Sequence, residues 1–231
     1  MKIILLIISF LVIHTLFMYS DESNYIYFPK EIGMYESKFA LGLNVSILPR
    51  MIAEEELRQI PQIEVNYRLG LPYKLSFVSK LSGNYIANQL SVGVQYSHTI
   101  GNLSIALGDM HSIWIGFAQL DGFNNYAEGW INQPYVSLGY KFDKLYFSMK
   151  GEINYTTSEK YYAGDVMSLS QRNYLAGTAL SMSLEQPFWK GNEIILGAKL
   201  NYNRSNYKYW IAFYTTRDFF FFPEIFFGYI W

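Results

Sequence analysis

The stretch QPYVSLGYKFDKLYFSMKGEINY, residues 133–155, decides how this chain folds. Val136, Leu138, Tyr140 and Phe142 share one side of its first half. Beyond Asp143-Lys144, the side chains of Leu145, Phe147, Met149, Ile153 and Tyr155 face away from Tyr146, Ser148, Lys150, Glu152 and Asn154. Successive side chains of a strand point to opposite faces, so this period-two pattern predicts two strands joined by a two-residue turn.

The same alternation recurs in both directions. Going back towards the N-terminus it covers Leu103 to Leu107, Leu90 to Tyr96, Leu75 to Leu81, Ile63 to Leu69 and Phe39 to Ile47. Going forward it covers Tyr174 to Leu184, with Ala176 and Leu180 on the apolar side, then Ile194 to Tyr202 and Ile225 to Trp231. The total is about ten strands, within a range of about eight to twelve. Phe226 and Ile230 break the alternation of the last one.

One face of these strands is apolar. The other carries mostly Ser, Gly, Ala, Asn and Tyr with scattered charges, too few for the wet outside of a soluble barrel. Small residues and pairable charges suit a narrow lumen. Tyr140, Phe142, Tyr155, Tyr174, Tyr202, Tyr229 and Trp231 lie towards the ends of the apolar faces, as the aromatic girdles of a membrane barrel do. A soluble lipocalin-like carrier with its apolar face inward is the alternative.

Composition agrees. Aromatic residues make up 19% of the chain and charged residues 16%. No segment after residue 20 has 18 successive apolar residues, so no further spanning helix is predicted. The chain has no Cys, which excludes disulfides and thiolate metal sites. Residues 1–20 read as a signal peptide: Lys2, an apolar run from Ile3 to about Met18, then polar residues. Residues 21–231 then form a single barrel domain. Its removal of Lys2 takes the balance from 18 Lys+Arg and 19 Asp+Glu to 17 against 19, a net of −2, with no basic excess for nucleic acid.

The connections alternate in length. LPYK, IGN, FDK and QPFWKGN are short. Pro49 to Pro61, about Gly116 to Asn132, Thr156 to Arg172, and Asn203 to about Phe220 are long, with NYIAN near residue 86 the exception. In the first long link, MIAEEELRQI suits a short solvated helix, and in the last, YKYWIAFYTT alternates well enough to extend a strand past the membrane.

Together these features resemble the small bacterial outer-membrane β-barrel proteins. The likeness implies an all-β, antiparallel, up-and-down transmembrane barrel in the outer membrane, in contact with lipid and lipopolysaccharide. It also implies that the final strand, through Ile225, Phe227, Tyr229 and Trp231, is read by the barrel assembly machinery. The class includes channels, enzymes, adhesins and structural proteins, so it selects no single function.

Two groups of residues could carry chemistry. Asp109, His111 and Ser112 are the ingredients of a nucleophilic hydrolase acting on lipid A or peptide, but strand parity puts Ser112 on the opposite face from the other two. HSIW at His111 and HTIG at His98 both depart from the His-x-Ser-Asn pattern of outer-membrane lipid A deacylases. His98 falls on the lipid-facing side near the periplasmic edge. The second group is the inward charges: Glu64, Arg68, Lys80, Lys141, Lys150, Glu152, Glu185, Lys199 and Glu224, with Glu64 roughly opposite Lys80. Buried charges are costly unless paired, so they predict a filled, hydrogen-bonded lumen or a narrow pore of weak selectivity. No metal-ligand cluster, phosphate loop or dinucleotide motif occurs, and no cofactor is predicted. The expectation is a non-enzymatic barrel serving structure, surface interaction or narrow passive transport.

Overall fold

The computed structural model describes residues 25–50, 52, 58–120, 123–189, 191–213 and 218–231. The predicted signal peptide and the run of Glu within MIAEEELRQI lie outside the described residues. Ten antiparallel strands form a closed barrel: β1 (Ser37–Ile47), β2 (Gln59–Gly70), β3 (Leu75–Gly83), β4 (Ala87–Ile100), β5 (Leu103–Leu120), β6 (Phe123–Phe142), β7 (Leu145–Ala163), β8 (Val166–Pro187), β9 (Glu193–Asn203) and β10 (Phe220–Ile230). Each strand pairs with its sequence neighbours, and β10 closes on β1 from Ala40↔Ile230 to Ser46↔Glu224. A bond from the Trp231 N–H to the Phe39 carbonyl, 3.4 Å, continues that seam.

The wall is apolar outside and polar inside. Leu43, Ile105, Leu107, Leu138 and Ile225 are 38–60% exposed, whereas Ser46, Ser76, Ser91, Ser97 and Ser104 are fully buried. This polarity is the reverse of a soluble barrel and removes the lipocalin-like alternative. Such a band is stable only against lipid, and closure leaves no strand edge unpaired there. Aromatic pairs mark its two rims. Tyr140–Phe142 and Phe39–Trp231 lie on the short-turn side, with Tyr202–Phe221 opposite. By the length rule for outer-membrane barrels, the short turns are periplasmic and the long hairpins external.

Three expectations are corrected. First, the links from Gly116 to Asn132 and from Thr156 to Arg172 are mostly strand. The strands β5 to β8 run 18, 20, 19 and 22 residues against 9 to 14 for the others, so two hairpins rise together as a four-strand blade. Above the membrane the outward face meets water. Glu128 and Lys160 then take outward positions, 3.0 Å apart, and the apolar-polar alternation that revealed the lower strands is lost. Register shifts at Trp130/Ile131, Asn154/Tyr155 and Tyr161/Tyr162 disturb the parity further.

Second, one of those shifts changes the reading of β8. Leu175, not Tyr174, pairs with Tyr155 and faces outward. Ala176 is buried, and the Tyr174 hydroxyl donates inward to Glu159. Third, YKYWIAFYTT does not extend a strand. Its described part is a 3-10 turn (Tyr207–Tyr209) followed by one helical turn, α1 (Trp210–Phe213), folded into the external mouth.

Candidate functional site

Among the described residues, buried charge, buried backbone and space come together in the lumen, and three layers fill it. On the periplasmic side, residues 25–33 enter the barrel ahead of β1. The Ile26, Tyr27 and Phe28 N–H groups donate to the Glu185 carboxylate at 2.8, 3.0 and 2.7 Å. Arg68 completes the clamp, donating through Nη1 to the Phe28 carbonyl at 2.9 Å and through Nη2 to the Lys30 carbonyl at 2.6 Å. An irregular segment inside a barrel leaves its own backbone groups unpaired, and these two charged side chains satisfy them. Apolar packing finishes the layer: Tyr25, Phe28 and Ile32 lie against Tyr146. Gly139 makes this approach possible, because a Cβ there would collide with Phe28 and Pro29. Phe226 and Ile230, which break the β10 alternation, point inward to pack with Ile26 and Tyr27.

The middle layer is a polar chamber with a cavity of about 120 Å³, lined in part by Lys80, Lys150, Lys199, Glu152, Tyr135 and Gln133. Lys150 pairs with Glu152 at 2.9 Å, Lys199 pairs with the same carboxylate, and Lys80 lies 3.5 Å from Glu64. The Glu64–Lys80 pairing is diagonal, since Glu64 stands opposite Ser82 and Lys80 opposite Asn66. The Lys150 ammonium also sits 4.3 Å from the centre of the Tyr135 ring. Asn44 donates to both Glu64 (3.3 Å) and Glu224 (2.9 Å), which ties the chamber to the layer above.

The outer layer is the turn from Tyr207 to Phe213. Lys208 pairs with Glu224 at 2.7 Å and donates to the Ser46 hydroxyl at 3.1 Å. Tyr207 shares a hydrogen bond with Ser82, 2.9 Å, and the Trp210 indole N–H donates to the Ile86 carbonyl at 3.0 Å. Trp210 packs with Trp114, Ile131 and Tyr161 beneath the blade, and Gly116 leaves the room that its ring occupies. Outside the membrane the Glu128 carboxyl is held below the usual carboxylate range by hydrogen bonds from Lys160 and Tyr126.

The nine inward charges of the sequence therefore divide by role. Glu64, Lys80, Lys150, Glu152, Lys199 and Glu224 line the chamber, while Arg68 and Glu185 hold backbone. Lys141 lies apart near the short turns, 5.4 Å from the Tyr146 ring centre. Sequence reasoning missed Lys208 and the whole of residues 25–33. The signal for the latter was a run of aromatic residues with Pro29 after a predicted leader, and it carries no periodicity.

Asp109 and His111 face outward, with Oδ2 and Nε2 3.6 Å apart. Ser112 is fully buried on the lumen side, where its hydroxyl donates to Gln133 Oε1 at 2.6 Å and shares a hydrogen bond with the Ser91 hydroxyl at 2.7 Å. The strand wall separates the hydroxyl from the imidazole, so the three do not meet. His98 sits at the periplasmic rim, 3.1 Å from the Lys74 ammonium, which in turn pairs with Glu31 at 2.9 Å. Among the described residues no three His, Cys, Asp or Glu side chains are grouped to hold a metal. On the closing strand Ile225 and Phe227 face outward, and Trp231 packs edge-on against Phe39, ring centres 4.7 Å apart.

No protein-family model and no curated protein matches the chain. Solved structures similar to it include the translocator domain of the autotransporter NalP from Neisseria meningitidis, at 8% identity over 87% of this chain and 89% of that one, TM-score 0.41. The P. putida toluene transporter TodX has 10% identity over 84% and 89%, TM-score 0.35. A mutant of Rh. blastica porin has 7% identity over 86% and 100%, TM-score 0.24. The assignment rests on the wall itself. A closed ten-strand cylinder with a lipid-facing apolar belt, aromatic rims and a polar interior is a transmembrane β-barrel of the bacterial outer-membrane class.

Proposed function

We propose that this chain is a non-enzymatic outer-membrane barrel, closed through its lumen by two segments of its own and displaying a four-strand blade for contact at the cell surface. One observation carries the reading: residues 25–33 and Tyr207–Phe213 fill the two ends of the lumen, each tied to a buried charge on the wall. A barrel built for passage would leave both ends open. The separation of Ser112 from His111 by the strand wall speaks against the hydrolase alternative.

The blade supports the surface role. Its outer face carries a ladder of aromatic rings in which Phe117 contacts Tyr126 (5.1 Å) and Tyr126 contacts Tyr162 (5.5 Å). Amphipathic aromatic rings of this kind are favoured contact residues at interfaces. Narrow passive transport is the second reading, and the central cavity of about 120 Å³ is what favours it.

Liposomes containing the protein should swell in small neutral solutes no faster than protein-free ones. Swelling above that background would replace the closed barrel with the transport reading. Trypsin added to intact cells should cut after Lys160 or Arg172 on the blade, and protection of both would reverse the assigned orientation.

A further inference from the structure

We propose that the lipid-facing wall around Asp109, His111 and Asn132 is a docking surface for a second copy of this chain within the membrane.

The apolar band on β5 runs upward from Leu103 to Ile113, and on β6 from Phe142 to Trp130. Asp109 and His111 interrupt it, each half exposed on the outer face. His111 Nδ1 lies 2.7 Å from Asn132 Oδ1, and its Nε2 lies 3.6 Å from Asp109 Oδ2. The three side chains form a polar group on an otherwise apolar wall. Its remaining groups, an Asp109 carboxylate oxygen and the Asn132 amide N–H groups, face outward towards the upper edge of the apolar band, beside Trp130, whose ring centre lies 6.5 Å from that of His111. Ionisable groups so placed in a membrane protein are expensive and mark a functional surface.

Three features choose the occupant. Asn132 offers donors and Asp109 offers acceptors, so two copies related by a two-fold axis along the membrane normal can exchange these bonds reciprocally. An anionic lipid headgroup is disfavoured: β4, β5 and β6 together contain one cationic Lys or Arg, Lys141, and it lies beside Tyr146 near the short turns. The ground around the trio suits close approach of a second wall. Val94 and Pro134 flank Asp109, and beside Val136 stands Gly151, where a Cβ would meet only open space. Lipid supplies no hydrophobic drive between two barrels, so close packing and interchain hydrogen bonds hold such an interface.

The absence of Cys from the chain makes a direct test available. Val94→Cys and Pro134→Cys are placed singly at the surface, with Leu43→Cys on the remote wall as control, and oxidised in intact outer membranes. Heat-modifiable migration on gels reports that each barrel has assembled. Disulfide-linked dimer is expected from at least one of the first two and not from the control. Adding Asp109→Leu and His111→Leu should reduce that dimer at least tenfold. No dimer from either flanking site, equal dimer from Leu43→Cys, or dimer unaffected by the double replacement would overturn the proposal. So would native mass spectrometry finding only monomers that carry lipopolysaccharide, with the lipid lost in the double replacement.

Discussion

Glu185 and Arg68 do at the level of single residues what the whole periplasmic closure requires. Glu185 accepts from three backbone N–H groups of residues 26–28, and Arg68 donates to the carbonyls of residues 28 and 30 as well as to the Ser76 and Ser97 hydroxyls of the wall. The sequence identified both as inward charges because they fall on the polar parity of their strands. Their partners stayed hidden because an irregular segment has no period to read. The clamp makes a sharp demand: removing the carboxylate leaves three inward N–H groups without an acceptor, at a cost of about 1–3 kcal/mol for each that stays buried. Glu185→Ala should therefore release residues 25–33. Trypsin cleavage after Lys30 of the purified, assembled barrel is expected to speed up at least tenfold, with Glu185→Gln falling between. Equal cleavage rates in Glu185→Ala and the unaltered protein would mean that apolar packing on Tyr146 holds the segment by itself.

At the level of elements, the strands within the bilayer were legible and the strands above it were not. Phe39 to Ile47 or Leu145 to Tyr155 alternate because lipid and lumen impose opposite demands on neighbouring side chains. In the blade both faces are mixed, with Glu128 and Lys160 outside and Trp114 and Tyr161 inside, and the demand disappears. Two predictions belong here. Trp231 seals β10 to β1 through its backbone bond and its contact with Phe39. Trp231→Asp should lower the amount of heat-modifiable barrel in the outer membrane several-fold while leaving synthesis unchanged. Normal assembly would remove the reading of Ile225, Phe227, Tyr229 and Trp231 as an assembly signal. The second concerns Gly116, which faces the Trp210 indole. Gly116→Val suits a strand by propensity but pushes the ring away, at a cost typical of overpacking, about 1–3 kcal/mol. The outer turn should detach while the barrel still forms, seen as new proteolysis after Lys208 in a protein that remains heat-modifiable.

Across the whole molecule, a wall that was readable from alternation surrounds a filling that was not. The predicted charge pairs within the chamber follow from strand parity and the cost of burying unpaired charge. The closures follow from long-range contacts that the two least periodic parts of the chain, residues 25–33 and the turn at Tyr207–Phe213, each make with the wall. These closures lie at opposite ends of the lumen and share no side chain, so each should block passage independently. Planar-bilayer recording tests this most directly, with the unaltered barrel, Glu185→Ala, Gly116→Val and the double variant compared under the same voltage and salt. The unaltered barrel and each single variant should give no steady conductance above the bare membrane, and the double variant should give discrete openings. Steady conductance through the unaltered barrel, or silence from a fully assembled double variant, would contradict a lumen closed twice by its own chain.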